Sequence, residues 1–207
     1  MKIWKNVLAL FFIVGIVISY NHRDQKTHHV IHHIFKDGDL IFRKGTGFFS
    51  TLFSKAGDRE VPYSHVGIAF VDKGDVFVIH IEANELTGKG FAKIDRIEEF
   101  LDKKNAIHAA VYRLKDGSYF YGKNAVEVAV EYVQRKTPFD IKFDLTSEKG
   151  LYCTEFVYRA YKKVGLDITD KFDVISISTH GRQYQKEIIS IRSILDSHLF
   201  EKVTDFN

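Results

Sequence analysis

Apolar and polar residues alternate with a period of two on both sides of a polar turn between residues 64 and 82. The segment reads SHVGIAFVDKGDVFVIHIE, and its two β-rich halves around a glycine-containing turn predict a β-hairpin. If Lys73 and Gly74 form a two-residue loop, His65 lies opposite Glu82, close enough for a hydrogen bond across the strands. A three-residue loop would shift the register by one residue and place the two side chains on opposite faces.

A helical period is present in two other segments. Apolar stripes run along residues 118–136 and along the segment that follows Cys153, which ends at the natural helix stop Gly165. The first stripe consists of Ala125, Val126, Ala129, Val130 and Val133, and the second of Phe156, Val157, Ala160, Tyr161 and Val164.

Shorter patterns fill most of the remaining chain. They predict strands over residues 37–45 and 106–115, short helices over 47–57 and 91–105, an irregular connector over 137–150, and a strand and helical turn over 190–206. Asp95 is a candidate cap of the helix over 91–105. The mixture predicts the α+β class.

The N-terminus differs from the rest of the chain. Lys2 and Lys5 precede an apolar run from Val7 to Tyr20, which is short for a membrane span and typical of a secretory signal. We therefore expect a signal peptide or short membrane anchor over residues 1–20, a linker over 21–36, and one domain over 37–207. The body would be exported, either periplasmic or anchored and facing outward.

Composition and charge narrow the classes of function. The 207 residues are 45% hydrophobic and 28% charged, as in a globular domain, and the net charge of +3 is spread among interleaved acids and bases. This pattern gives no support for a nucleic-acid partner. Four histidines, His28, His29, His32 and His33, have no acidic residue or cysteine nearby to complete a metal site, so we interpret them as part of a polar linker.

Cys153 is the only cysteine of the chain. Its position, away from the termini, does not suit lipid attachment, and one cysteine cannot build a cysteine-based zinc site. Two interpretations remain. Free cysteines are often buried structural residues. A cysteine at a helix start can instead be a nucleophile, because free N–H groups lower the pKa of the thiol and can hold an oxyanion.

The motifs GDLIF, YSHVGIAF, IEA, PFDIKFDL and LYCTEFVYRAYK follow one another in this order. Together they resemble the circularly permuted papain-like cysteine hydrolases of the NlpC type, in particular the YiiX-like branch, from about residue 37 to the C-terminus. The histidine strand precedes the cysteine helix, as in the permuted members. The resemblance implies an antiparallel sheet or partial barrel packed against helices, with the nucleophile at a helix N-terminus.

The resemblance also implies a set of site residues. Cys153 matches the nucleophile, His65 the general base, and Glu82 the residue that orients the base. His80 competes for this third role, but we interpret it as a packed strand histidine. The neighbouring Tyr63, Ser64, Tyr152 and Glu155 are predicted to line the substrate pocket, although packing explains them equally well.

The implied reaction is acyl transfer through a thioester. We expect a thiol hydrolase that cleaves a peptide or isopeptide amide in the cell envelope. The alternatives are a lipid acyltransferase or phospholipase of the same fold, and a non-catalytic envelope-binding domain. The expected partners are peptide, cell-wall or acyl-lipid substrates, with membrane contact through the N-terminus compatible with the leader. No cofactor or metal is expected, and the sequence does not indicate the oligomeric state.

Overall fold

The computed structural model describes residues 34–45, 61–84, 86–115, 119–179 and 182–206. The chain divides into two compact units, Met1–Ile34 and Phe35–Asn207, and the described helices and strands lie in the second. The predicted signal peptide, the histidine cluster and the short helix over 47–57 lie outside the described residues, and the predicted domain boundaries stay predictions. Within the described ranges, no helix is long and apolar enough to cross a membrane.

The second unit combines a large antiparallel sheet with short and medium helices, which confirms the predicted α+β class. Its elements are β1 (Leu40–Lys44), β2 (His65–Asp72), β3 (Asp75–Ile81), β4 (Ala92–Arg96), α1 (Ile97–Phe100), β5 (His108–Leu114), α2 (Tyr119–Gln134), α3 (Cys153–Lys163), β6 (Asp173–Thr179), β7 (Arg182–Ile188), α4 (Ile191–Leu195) and β8 (Phe200–Phe206). The main sheet has the order β4-β3-β2-β1-β5-β8, and β6 and β7 form a separate hairpin.

The hairpin of β2 and β3 has the predicted register. Asp72 pairs with Asp75 and Val71 with Val76, which leaves a two-residue loop. Both loop residues have positive φ, 50° at Lys73 and 89° at Gly74, as a tight hairpin turn with the right twist requires. The strand faces therefore fall as the alternation predicts.

The segment over 91–105 differs from the prediction of one helix capped by Asp95. Its first half is the strand β4, which pairs with β3 and places Lys93 opposite His80, and only its second half is helical. The alternation of Ala92 and Ile94 with charged residues is a strand pattern that the adjoining helical turn obscures. Asp95 consequently lies inside the sheet.

The helices α2 and α3 pack against each other and against β2 and β3. A close backbone approach fixes the turn before β1 on this layer: Gly38 has φ of 84°, and a Cβ there would lie 2.2 Å from the Cα of Gly122 in α2. The hydroxyl of Tyr161 in α3 donates a hydrogen bond to the carbonyl oxygen of Gly38. The start of the sheet is thus tied to both helices, including the one that carries Cys153.

Candidate active site

Cys153 is the first residue of α3 and is only 1% exposed. The preceding Tyr152 has extended backbone angles and supplies no side-chain cap, so the first N–H groups of the helix stay available to the thiol. The N–H groups of Thr154 and Val66 lie close enough to the sulfur to lower the pKa of the thiol. Because Val66 follows His65 in β2, the thiol lies beside the start of that strand.

The surroundings of Cys153 favour the neutral thiol over the thiolate. Burial raises the pKa of Cys153 to about 12, and the negative charge of Glu82 adds to this effect. The N–H groups of Thr154 and Val66 offset only part of it. Desolvation therefore outweighs the helix terminus, and the resting residue at neutral pH is a neutral thiol.

His65 lies on the same strand and is 7% exposed. Its Nε2 is 2.9 Å from Nδ1 of His80 on the neighbouring strand. Room for this contact comes from Gly67, where a Cβ would lie 2.4 Å from Cγ1 of Val78 and 3.0 Å from Cβ of His80. Burial, followed by the positive charge of Arg43, holds the pKa of His65 well below its usual value, so the imidazole is neutral.

His80 connects His65 to a carboxylate. Its side chain is fully buried, and its Nε2 is 2.8 Å from Oδ2 of Asp95 on β4. The ring of Phe100 packs against both imidazoles, with centroid distances of 4.9 Å to His80 and 5.7 Å to His65. His80 is thus more than the packed strand histidine that the sequence suggested. Asp95 belongs to the site because β4 replaces the predicted helix.

Glu82 does not contact His65 as the hairpin arithmetic suggested. The ladder between β2 and β3 ends at Ile68 and Ile79, before the site, and β1 places Arg43 opposite His65 instead. The guanidinium of Arg43 hydrogen-bonds both the Glu82 carboxylate and the carbonyl of Phe100. The predicted His65–Glu82 hydrogen bond is therefore absent in the described residues, and the contact of His65 is His80.

The predicted pocket residues have mainly internal partners. Tyr63 donates to Asp205, and the hydroxyl of Ser64 accepts from the N–H of Gly45. The hydroxyl of Tyr152 accepts from the N–H of Ile189. Their lining of a substrate pocket stays a prediction, and these contacts give each of them a structural role.

Glu155 is also buried, and Arg159, one helical turn further along α3, donates hydrogen bonds to its Oε1. Its carboxylate also accepts from the backbone N–H of Tyr152, which is half of a capping box. These contacts support the structural interpretation of Glu155 over the substrate-facing one.

Comparison with known proteins assigns the chain to a family. The family model described as "permuted papain-like amidase enzyme, YaeF/YiiX, C92 family" matches residues 34–202. The chain belongs to this family. The resemblance inferred from the motifs is thereby confirmed, and the protein is a thiol hydrolase of the papain-like type. A comparison with curated proteins gave no match.

A solved structure shares the family fold. The crystal structure titled as metalloprotein YiiX from Escherichia coli O157:H7 has a TM-score of 0.65 and 18% sequence identity, and the match covers 83% of this chain and 97% of that one. At this identity the likeness concerns the fold, and it agrees with the predicted permuted papain-like architecture.

One group of side chains has the composition of a metal site. Single ligand atoms of His65, His80 and Glu82 lie within 4.8 Å of one another. However, the two imidazoles are hydrogen-bonded to each other, and Glu82 is paired with the buried guanidinium of Arg43. A metal ion would have to displace both interactions and would lie beside a buried positive charge. The present arrangement fits a hydrogen-bonded chain and does not fit a metal centre.

Proposed function

We propose that the protein hydrolyses a peptide or isopeptide amide of cell-envelope material through a thioester at Cys153, with His65 as general base. The observation that carries this proposal is the position of Cys153 at the start of α3, where the N–H of Val66 reaches the sulfur, so that the neutral His65, whose Nε2 is occupied by His80, lies at the same end of β2. Only Nδ1 of His65 is then left to accept the proton of the thiol.

The reaction would begin from a neutral pair. As the sulfur attacks the carbonyl carbon, the S–H proton moves to Nδ1 of His65, and N–H groups such as those of Thr154 and Val66 can hold the developing oxyanion. Collapse of the tetrahedral intermediate breaks the C–N bond, and the imidazolium gives its proton to the leaving amine. Water then attacks the thioester, His65 takes a proton from the water, and the sulfur leaves and recovers that proton.

We assign the third, orienting role to His80 and not to Glu82. His80 contacts His65 directly, whereas Glu82 is held by Arg43. Glu82 remains close enough for its charge to raise the pKa of Cys153. Its expected contribution is to set the local charge and the position of Arg43. Its role as the orienting residue stays a prediction, which kinetics of Glu82→Gln can test.

A cell-envelope location is part of the proposal. It is supported by the lysines and apolar run at residues 1–20, which are typical of a secretory leader. Fractionation of cells that express the full-length chain tests it: the protein should be recovered with the periplasm or the membrane. Recovery of the full-length chain in the soluble cytosolic fraction would contradict the export proposal.

Hydrolysis or transfer of a lipid acyl group is the second candidate. Three exposed apolar residues, Leu86, Phe91 and Ile141, favour it, and Leu86 is 95% exposed. A Cβ on Gly88 would lie 3.3 Å from Ile141, and Phe91 forms a β-bridge with Pro138, so the two segments adjoin. One segment follows Glu82 along the chain, and the other hydrogen-bonds the carbonyl of Leu151 just before Cys153. An apolar border of this kind suits an acyl chain.

A direct substrate comparison separates the two candidates. The purified full-length chain is incubated with cell-wall peptides and, separately, with phospholipid vesicles, and Cys153→Ala serves as the matched control. Release of an amine from the peptides that needs Cys153 supports amide hydrolysis. Release of fatty acid or acyl exchange from the lipids alone would reverse the order of the two candidates.

A further inference from the structure

The hydrogen bonds of His80 and Asp95 determine which nitrogen of His65 carries its proton. Three side chains from three adjacent strands form one hydrogen-bonded line: Nε2 of His65 to Nδ1 of His80 at 2.9 Å, and Nε2 of His80 to Oδ2 of Asp95 at 2.8 Å. His80 is fully buried, and the side chain of Asp95 is only 13% exposed. Because the line is shielded from water, each hydrogen bond constrains the next one.

The direction of the hydrogen bond between His80 and Asp95 follows from the chemistry of the carboxylate. An ionised carboxylate only accepts hydrogen bonds, so the proton between Asp95 and His80 belongs to Nε2 of His80. A neutral imidazole has one N–H, which leaves Nδ1 of His80 with a lone pair. The proton in the contact between the two histidines must then belong to Nε2 of His65.

The tautomer of His65 follows from the tautomer of His80. If Nε2 of His65 carries its proton, Nδ1 of His65 is the unprotonated nitrogen, and a general base needs this lone pair. The opposite tautomer of His80 would donate from Nδ1 to His65 and move the proton of His65 onto Nδ1. In that state His65 could not accept a proton from the thiol.

We propose that Asp95 is a positioning residue that acts through His80 to keep His65 in the tautomer with its lone pair on Nδ1, the nitrogen that would accept the proton of the thiol. This rests on the proposed role of His65 as the base for Cys153. Lys93, whose Nζ is 2.7 Å from Oδ2 of Asp95, holds the carboxylate from the solvent side and favours its ionised form. Asp95 does not touch substrate in this account.

The test measures the tautomers directly and the kinetics separately. Long-range ¹H–¹⁵N NMR spectra of ¹⁵N-histidine-labelled full-length protein, assigned with His65→Ala and His80→Ala, should show both rings protonated on Nε2. In Asp95→Leu, which removes the acceptor, a population with His80 protonated on Nδ1 should appear. The kcat should fall by about 10²- to 10⁴-fold, in the range found when a histidine base loses its orienting carboxylate, and KM should change little.

Two further variants keep the test interpretable. Asp95→Asn retains the shape and one carbonyl acceptor, so it should keep more kcat than Asp95→Leu and should fold if Asp95→Leu does not. Asp75→Leu is the matched control, because Asp75 forms a comparable ion pair with Arg96 at 2.8 Å on the same sheet but does not contact the histidines. Its tautomers and kcat should equal those of the unmodified protein.

The outcomes distinguish this inference from the proposed function. A native His80 protonated on Nδ1, or unchanged tautomers and kcat in a folded Asp95→Leu variant, would overturn the inference even if Cys153 remains essential. Full hydrolysis by Cys153→Ala would overturn the proposed function and, with it, the assignment of His65 as base, whatever the spectra show. Loss of kcat with the tautomer shift confined to the Asp95 variants supports both.

Discussion

Two carboxylates near the candidate active site, those of Asp95 and Glu155, have pKa values that their surroundings shift in opposite directions. Burial raises the pKa of Asp95, but hydrogen bonds from His80 and Lys93, together with the positive charge of Lys93, outweigh it and bring the pKa to about 2. Burial also raises the pKa of Glu155, to about 8, and there Arg159 offsets only part of the effect. Both groups are largely removed from water, so burial alone does not decide which of them is ionised.

The difference lies in how close the donors come to each carboxylate and in which oxygens they reach. One oxygen of Asp95 receives both His80 and Lys93 at 2.8 and 2.7 Å. Arg159 reaches only Oε1 of Glu155, at 3.2 and 3.3 Å, and Oε2 is buried without a hydrogen-bond partner in the described residues. Asp95 is therefore a fixed negative charge that can anchor a histidine, whereas Glu155 is stable in the neutral form.

The largest expected effect comes from substitution of Cys153 and His65, the proposed nucleophile and its base. Cys153→Ala and His65→Ala should each lower turnover by about 10³-fold or more, and the double variant should be little worse, because the two act as one unit. Turnover of whichever substrate class responds is the measurement, and circular dichroism checks that the variants fold. Additive losses in the double variant would show that the two residues act independently.

The next effect compares the two candidates for the third role. His80→Asn should lower kcat by about 10²-fold, since asparagine cannot bridge His65 and Asp95, and Glu82→Gln should cost less than about 10-fold. Steady-state kinetics of the two purified variants decide between them. A silent His80→Asn together with an inactive Glu82→Gln would restore Glu82 as the orienting residue.

The sequence could predict much of this site but did not predict that His65 contacts His80 and that Glu82 pairs with Arg43. Cys153 and His65 stand in motifs that carry their chemistry, and the turn residues Lys73 and Gly74 correctly fixed the register of the hairpin. That register lists directly opposed pairs, whereas His65 meets His80 diagonally. Diagonal contacts depend on the length of the side chains, which the register does not show. The partner of Glu82 is Arg43, which comes from the neighbouring strand β1.

Other features were hidden for different physical reasons. Asp95 seemed to be a helix cap because the strand β4 runs directly into α1 and the two periods overlap within a few residues. The hairpin of β6 and β7 was not predicted, although the segment VISIST alternates in the way a strand does. The raised pKa of Cys153 was hidden because the sequence reveals the helix terminus but not the burial that outweighs it.

A smaller effect concerns stability in acid. The pKa of Asp95 is about 2 in the folded chain and about 3.9 in an unfolded chain, so its ionised form stabilises the fold above about pH 4. This contribution, at most about 3 kcal/mol, is lost as the pH falls through about 2. Urea unfolding should show Asp95→Asn less stable than the unmodified protein at pH 7 and nearly equal to it near pH 2. A difference that does not change with pH would mean that the ionised form is not favoured.

Substitution at the other carboxylate should have the smallest effect, and the dependence of its contribution on pH should have the opposite sign. The folded-state pKa of Glu155 is raised to about 8, so the folded chain retains a proton that the unfolded chain loses above about pH 4.3. The stability contributed by Glu155 should therefore be complete below about pH 4 and should decline as the pH rises towards 8. Glu155→Gln, which mimics the neutral acid, should be neutral or stabilising at pH 8 in urea unfolding. Marked destabilisation would show that the ion pair with Arg159 dominates instead.

The most direct test of the account is the detection of its covalent intermediate. The full-length protein is mixed with activated acyl esters and amides, quenched in acid within the time of turnover, and analysed by intact-protein and peptide mass spectrometry. We predict an added mass equal to the acyl group on the peptide that contains Cys153, and its absence in both Cys153→Ala and His65→Ala. An acyl adduct on another residue, or one at Cys153 that forms as fast in His65→Ala, would contradict the account.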